Sequence, residues 1–183
     1  MKRKIVERYD LSDNGEVIIK ISSSKVEDLY SQFDKRSSFS KKDLDPELVS
    51  YIIDSVTEIG KEKFYLEFYF DEVIDQTLHE KLQNSIKNYF EYLQDLKKKM
   101  MREEIKNSFI FLIIGLFFTT ISIFIGENEN FWVKILSEGF LVAGWVSLWE
   151  VLATLLIKWL PLTKKLKLYK KISDCKIVFA THP

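Results

Sequence analysis

The chain has 183 residues, with 27 Lys and Arg against 27 Asp and Glu, so its formal net charge is zero. That balance, without any basic stripe carrying interleaved aromatics, argues against a nucleic-acid partner; the length leaves room for one soluble core, not two. A single cysteine, Cys175, rules out an intrachain disulfide and suits a reducing compartment.

The opening MKRKIVERYDLSDNG is basic but has no apolar stretch behind it, so no cleavable signal is expected. Ile5 to Asp10 and Glu16 to Ser22 are strand-like runs joined through Ser12-Asp13-Asn14-Gly15, and Asn-Gly is a strong short-range turn signal. Ser24-Lys25-Val26-Glu27 fits a capping box, and Val26, Leu29, Tyr30 and Phe33 follow at helical spacing. A charged loop, Asp34 to Asp43, leads to a second helix start at Asp45-Pro46, with an N-cap carboxylate and proline in the first helical position. Leu48, Val49, Ile52, Ile53, Val56 and Ile59 form its apolar face, and Gly60 stops it. Phe64, Leu66, Phe68 and Phe70 then alternate with Tyr65, Glu67 and Tyr69, the period of a half-buried strand.

From about Val73 to Ile125 there is no proline and one glycine, Gly115, which predicts a single long helix. Leu78, Leu82, Ile86, Tyr89, Leu93, Leu96 and Met100 give it a seam, which either packs on a second stalk (Leu162, Leu166, Tyr169, Ile172) or drives homo-oligomerisation. Asn107 to Ile125 contains no charge, and as a helix it is about 28 Å long against the roughly 30 Å hydrocarbon core of a bilayer. GENEN at 126–130 separates it from a second apolar stretch, Ile135 to Leu160. Near the end, Lys176 to Ala180 reads as one more strand.

These signals predict an α+β fold, with a small cytosolic, mostly antiparallel sheet and two helices, attached by long helical stalks to a two-helix transmembrane hairpin. The expected organisation is 1–72 α/β domain, 73–106 stalk, 107–125 first span, 126–130 external loop, 131–160 second span, and 161–183 basic helix with a strand returning to the sheet. Lys97, Lys98, Lys99, Arg102 and Lys106 precede the first span, and Lys158, Lys164, Lys165, Lys167, Lys170 and Lys171 flank or follow the second. The positive-inside rule then puts both termini in the cytoplasm.

No catalytic constellation stands out. His79 and His182 have no metal-ligand neighbours, no glycine pattern forms a phosphate loop, and no serine sits in a nucleophile elbow. No enzyme activity, cofactor or metal is expected. Lys35, Arg36, Lys41 and Lys42, with the helix start at Pro46, are the candidate ligand loop; a solvated connection is the plainer reading. Glu150 lies within the second span, where a carboxylate costs on the order of 2–3 kcal/mol on lenient insertion scales. It is read either as a protonated or hydrogen-bonded group near the cytoplasmic interface, reaching Thr154 or snorkelling, or as a pore-lining, proton-binding or inter-subunit switch residue, while Glu138 reaches toward the outer interface. Gly139 and Ala143 share a face one turn apart, as do Trp145 and Trp149, and the small residues are expected to cross Gly115 and Thr119 closely.

Phe33 to Gly60 and Glu138 to Ile172 together resemble a family of small bacterial two-span membrane proteins. In that family the second span carries E-G-x-L-x-x-G-W-V-x-x-W followed by W-x-P and a basic stretch, and the match covers about a third of this chain. The family carries no assigned activity. The resemblance implies a bacterial inner-membrane location and architectural roles for Glu138, Gly144, Trp145 and Trp149. By analogy of architecture alone, small modules on two-span hairpins recur among bacterial immunity effectors that disrupt the membrane. Two functions are therefore expected of this lipid-embedded, homo-oligomeric protein. One is a cytosolic domain that senses a small molecule or protein and regulates a pore-forming oligomer; the other is a membrane-anchored adaptor without transport.

Overall fold

The structure, a computed structural model, describes residues 7–34, 37–39 and 41–181. It separates into two compact units, residues 1–95 with 167–183, and residues 96–166. The expected strand residues Ile5 and Val6 lie outside the described residues.

In the first unit, β1 (Asp10–Leu11) pairs antiparallel with β2 (Val17–Ser23). The turn between them closes on Ser12, whose N–H donates to Glu16 O at 2.9 Å, and Gly15 takes φ +75°, the left-handed conformation glycine adopts without strain. From β2 the chain passes through two short 3₁₀ turns, Val26–Leu29 and Gln32–Asp34, to α1 (Pro46–Ile59) and β3 (Phe64–Phe70). A helix between two strands returns the chain to the end where it began, so β3 pairs parallel with β2, Ile19 opposite Leu66. The last strand, β4 (Lys176–Thr181), pairs parallel with β3, Leu66 opposite Ile177. The sheet is therefore mixed, in the order β1-β2-β3-β4, and not mostly antiparallel.

The segment after Ser24 departs from a helix. Asp28, not Glu27, reaches back to the preceding backbone, accepting from Lys25 N–H at 3.2 Å, and Glu72 accepts from Val26 N–H at 2.8 Å. Tyr30 is extended and bridges to Leu44, which breaks the helical phase. Val26, Leu29 and Tyr30 stay buried, and Phe33 is fully exposed. At α1 the expected cap is present: the Asp45 carboxylate accepts from Glu47 N–H at 2.8 Å and Leu48 N–H at 3.3 Å, and Gly60 ends the helix at φ +70°.

The long helix α2 runs from Gln76 to Gly126, and Asp75 caps it by accepting from Leu78 N–H at 2.7 Å. Its Leu82, Ile86 and Phe90 are wholly buried in the core of the first unit with Ile19, Ile52, Leu66 and Phe68. Most of the seam is thus consumed inside one chain, leaving Leu96 and Met100 exposed. The expected partner stalk also contributes: Phe90 meets the Tyr169 ring at 6.2 Å, and Gln94 donates to Ser173 Oγ at 3.1 Å. Lys171, grouped by sequence with the solvated basic flank, instead donates to Gly60 O at 3.0 Å and Glu62 O at 2.7 Å. Burial holds its pKa below the usual lysine range. Burial likewise pushes the Cys175 thiol up to about 12, which keeps it protonated and unreactive.

The second unit holds the end of α2, then α3 (Phe131–Ala153), a π-helical stretch Thr154–Trp159, and the start of α4 (Leu160–Ser173). The π stretch ends just before Pro161. Proline lacks an N–H and its ring crowds the carbonyl four residues earlier, and a wider π turn accommodates both effects without a break. The helices over 76–126 and 131–173 are each long and apolar enough to cross a membrane.

Candidate functional site

The loop after the second 3₁₀ turn is organised by Asp34. Its carboxylate accepts from the Ser37 hydroxyl and, at 2.8 Å, from Asp43 N–H. The Ser37 bond first, then the Asp43 N–H and the nearby Lys42 charge, hold the Asp34 carboxyl below the usual carboxylate range. At the loop's far end, Ser31 N–H donates to Asp43 O and Asp45 N–H to Leu29 O, both at 2.9 Å. A charge-rich loop is thereby fixed to the core at both ends.

This frame presents two lysines to one face of α2. Lys41, Lys42 and Asp43 line a cavity of about 360 Å³ with Asn88, Tyr89 and Tyr92. The Lys42 ammonium stands 5.1 Å from the centroid of Tyr30 and 4.8 Å from that of Phe39, which themselves meet edge-to-face. Tyr89 and Tyr92 lie 6.4 Å apart at 51°, two inclined walls. Ser85 falls on the same α2 face, one turn before Tyr89, and its hydroxyl and that of Tyr30 are buried beside each other. Burial raises the Tyr30 pKa, so its phenol stays a neutral donor. Two of the four loop residues singled out from sequence are thus brought into a cavity; Lys35 and Arg36 lie outside the described residues.

Sequence reasoning missed the other half of this cavity. Spacing along the sequence puts Tyr89 in the helix seam and gives Asn88 and Tyr92 no role. The signal lay in their spacing, since Ser85, Asn88, Tyr89 and Tyr92 follow at i, i+3, i+4 and i+7, a second face of α2 beside the Leu82-Ile86-Phe90 core face.

In the 96–166 unit, α2 and α3 run antiparallel and meet through small residues. A Cβ built on Gly115 would stand 2.9 Å from the Leu148 side chain and 3.2 Å from Gly144 O, and one built on Gly144 would collide with Thr119. The close approach expected of Gly139 and Ala143 is made by Gly144: a Cβ on Gly139 meets nothing within 4 Å. The Ser137 and Thr119 hydroxyls are satisfied locally, whereas Ser108 Oγ of α2 is buried without a hydrogen-bond partner among the described residues. Ser137 Oγ donates to Ser122 O at 2.8 Å and lies 3.2 Å from Ser122 Oγ, and Thr119 donates to Gly115 O at 2.8 Å. Phe118 stacks on Phe140 with centroids 5.6 Å apart. Trp145 and Trp149 face outward, 67% and 68% exposed.

Glu150 has a specific partner. Lys158, two turns further along, places Nζ 3.4 Å from Glu150 Oε1 and 3.4 Å from Glu104 Oε2 of α2. One ammonium thus joins two helices through two carboxylates, Glu150 and Glu104. The expected reach to Thr154 is not made by the side chain; Thr154 N–H instead donates to the carbonyls of Glu150 and Val151. Glu138 is exposed on α3.

His79 stacks flat on Phe179 at 4.7 Å and 3°, a packing contact; His182 lies outside the described residues. Among the described residues, no group of three or more His, Cys, Asp or Glu is placed to hold a metal ion. The chain matches no protein-family model, no curated protein and no solved structure.

Proposed function

We propose that this chain is a two-span protein of the bacterial inner membrane with both termini cytoplasmic. In this reading the α+β unit senses a ligand or partner and regulates an oligomer of transmembrane hairpins. The observation that carries it is the inverted burial of the two apolar helices. Their most apolar windows are only 11% buried, with Phe117, Phe124, Trp145 and Trp149 turned outward, while the polar Ser122, Ser137 and Thr154 are enclosed. Such a surface suits hydrocarbon and is a liability in water. The sequence resemblance to two-span bacterial proteins points the same way, and the fixed lysine loop supplies a place for a ligand.

A second reading, an anchored adaptor without transport, is favoured by one contact. Glu150 is paired within its own chain with Lys158, an ammonium it shares with Glu104, so it does not stand as a free carboxylate lining a path. The mass of the full chain in nanodiscs separates the two. A closed ring of several copies supports the regulated oligomer, because two spans per chain cannot enclose water alone. A monomer or simple dimer removes that reading and leaves the adaptor.

A further inference from the structure

We infer that the cavity between the 41–43 loop and α2 binds a small aromatic carboxylate. The inference rests on reading the α+β unit as a sensor, and it names the chemistry sensed. Four features of the cavity select that chemistry. Its volume, about 360 Å³, falls at the small end of ordinary ligand pockets. Its lining charges are two ammonium groups against the Asp43 carboxylate, with the Asp34 carboxylate near Lys42 already engaged by the Ser37 hydroxyl and Asp43 N–H, which matches a single anionic group and disfavours a polyphosphate. Its walls are the inclined rings of Tyr89 and Tyr92, surfaces for a flat apolar body, and Asn88 adds a polar group to the lining.

The fourth feature is preorganisation. Lys42 is held over the Tyr30 and Phe39 rings, and Asp34 fixes the loop that carries it, so the ammonium is in place before any anion arrives. A lysine free in solvent would lose side-chain entropy on binding that this one has already given up. The two rings beneath Lys42 neutralise none of its charge, and the nearby Asp34 carboxylate is taken up by the Ser37 hydroxyl and Asp43 N–H, so the ammonium keeps donors for a ligand carboxylate.

The test uses the full chain in zwitterionic phosphatidylcholine nanodiscs, titrated with 2-naphthoate, with empty nanodiscs as the blank for partition into lipid. The expected result is saturable binding at one site per chain. Acetate, which lacks the ring, and 2-naphthalenemethanol, which lacks the charge, should each bind about tenfold more weakly or worse. Lys42→Gln and Tyr92→Leu should each weaken 2-naphthoate by a similar factor; Tyr92 is half exposed, so its variant keeps the fold. Absence of saturable binding overturns the inference. So does equal binding of acetate or of the alcohol, or binding unchanged in both variants, which would place the ligand elsewhere. None of these results alters the mass of the assembly, so failure here is distinct from failure of the oligomer reading.

Discussion

Where the α+β unit withdraws Ile19, Ile52, Leu66 and Phe68 completely, the 96–166 unit turns Phe117, Phe124, Trp145 and Trp149 outward and encloses Ser122, Ser137, Gly144 and Thr154. The residue types are shared and their placement is reversed. Burying a leucine gains free energy only when the alternative is water. On the proposed reading of the second unit as embedded in hydrocarbon, that gain is absent, and close backbone approach holds the pair instead. The two halves of the chain are therefore sensitive to opposite kinds of substitution.

The largest expected effect tests the first half of that contrast. Phe68→Ala empties the centre of the sheet core, contacting Phe70 and Phe179, and should cost about 3–5 kcal/mol. Chemical denaturation in detergent should then show loss of the sheet signal at much lower denaturant while the helices over 96–166 persist. Loss of both signals together would break the contrast.

Much of the α+β unit could be read from the sequence because its signals are local. The Asp45-Pro46 cap, the Gly60 stop and the alternation from Phe64 to Phe70 each act within a few residues, and each is in place. The parallel pairing was not legible in the same way. It follows from where the intervening helix returns the chain, and β4 reaches β3 only after both apolar helices. Phe33 failed for a related reason: spacing suggested a helix, but the bridge from Tyr30 to Leu44 won the backbone. At the candidate site, Lys41 and Lys42 stood out by charge, whereas Asn88 and Tyr92 needed the fold to bring them across. Likewise Glu150 was conspicuous alone, and its tie to Lys158, which Glu104 shares, needed the helix register.

Gly144→Ile tests the other half. Its side chain would enter the space of Thr119 and the Gly115 carbonyl, and overpacking of this kind costs about 1–3 kcal/mol. Gly139→Ile, on an open face, should cost far less. Steric-trapping measurements of helix separation in bilayers would rank the two, and equal effects would refute the assigned crossing.

A smaller effect is expected at a helix end. Asp45→Ala removes the acceptor for two backbone N–H groups and should lower the stability of the α+β unit by about 1 kcal/mol, read from its denaturant midpoint. Asp45→Asn should recover most of the loss.

The smallest effect is one of pH. Because the Asp34 carboxyl is depressed below its ordinary value near 3.8, its contribution is fully present above that value and is lost as pH falls through its native value. Asp34→Asn should therefore flatten part of the acid limb of the stability curve of the α+β unit and leave that of Gly144 variants unchanged. An unaltered acid limb would show that the loop is not held by this carboxylate.

The position of β4 has a consequence for the order of events during synthesis. Its partner β3 is complete once Phe70 has emerged, yet Lys176 follows only after both long apolar helices have left the ribosome. Until then the β3 edge, with Phe68 and Phe70, is uncovered on the side β4 will take, an open template for any passing strand. Synthesis of both apolar helices must precede closure of the sheet. A delay at that step leaves the nascent α+β unit as the part exposed to aggregation and proteolysis.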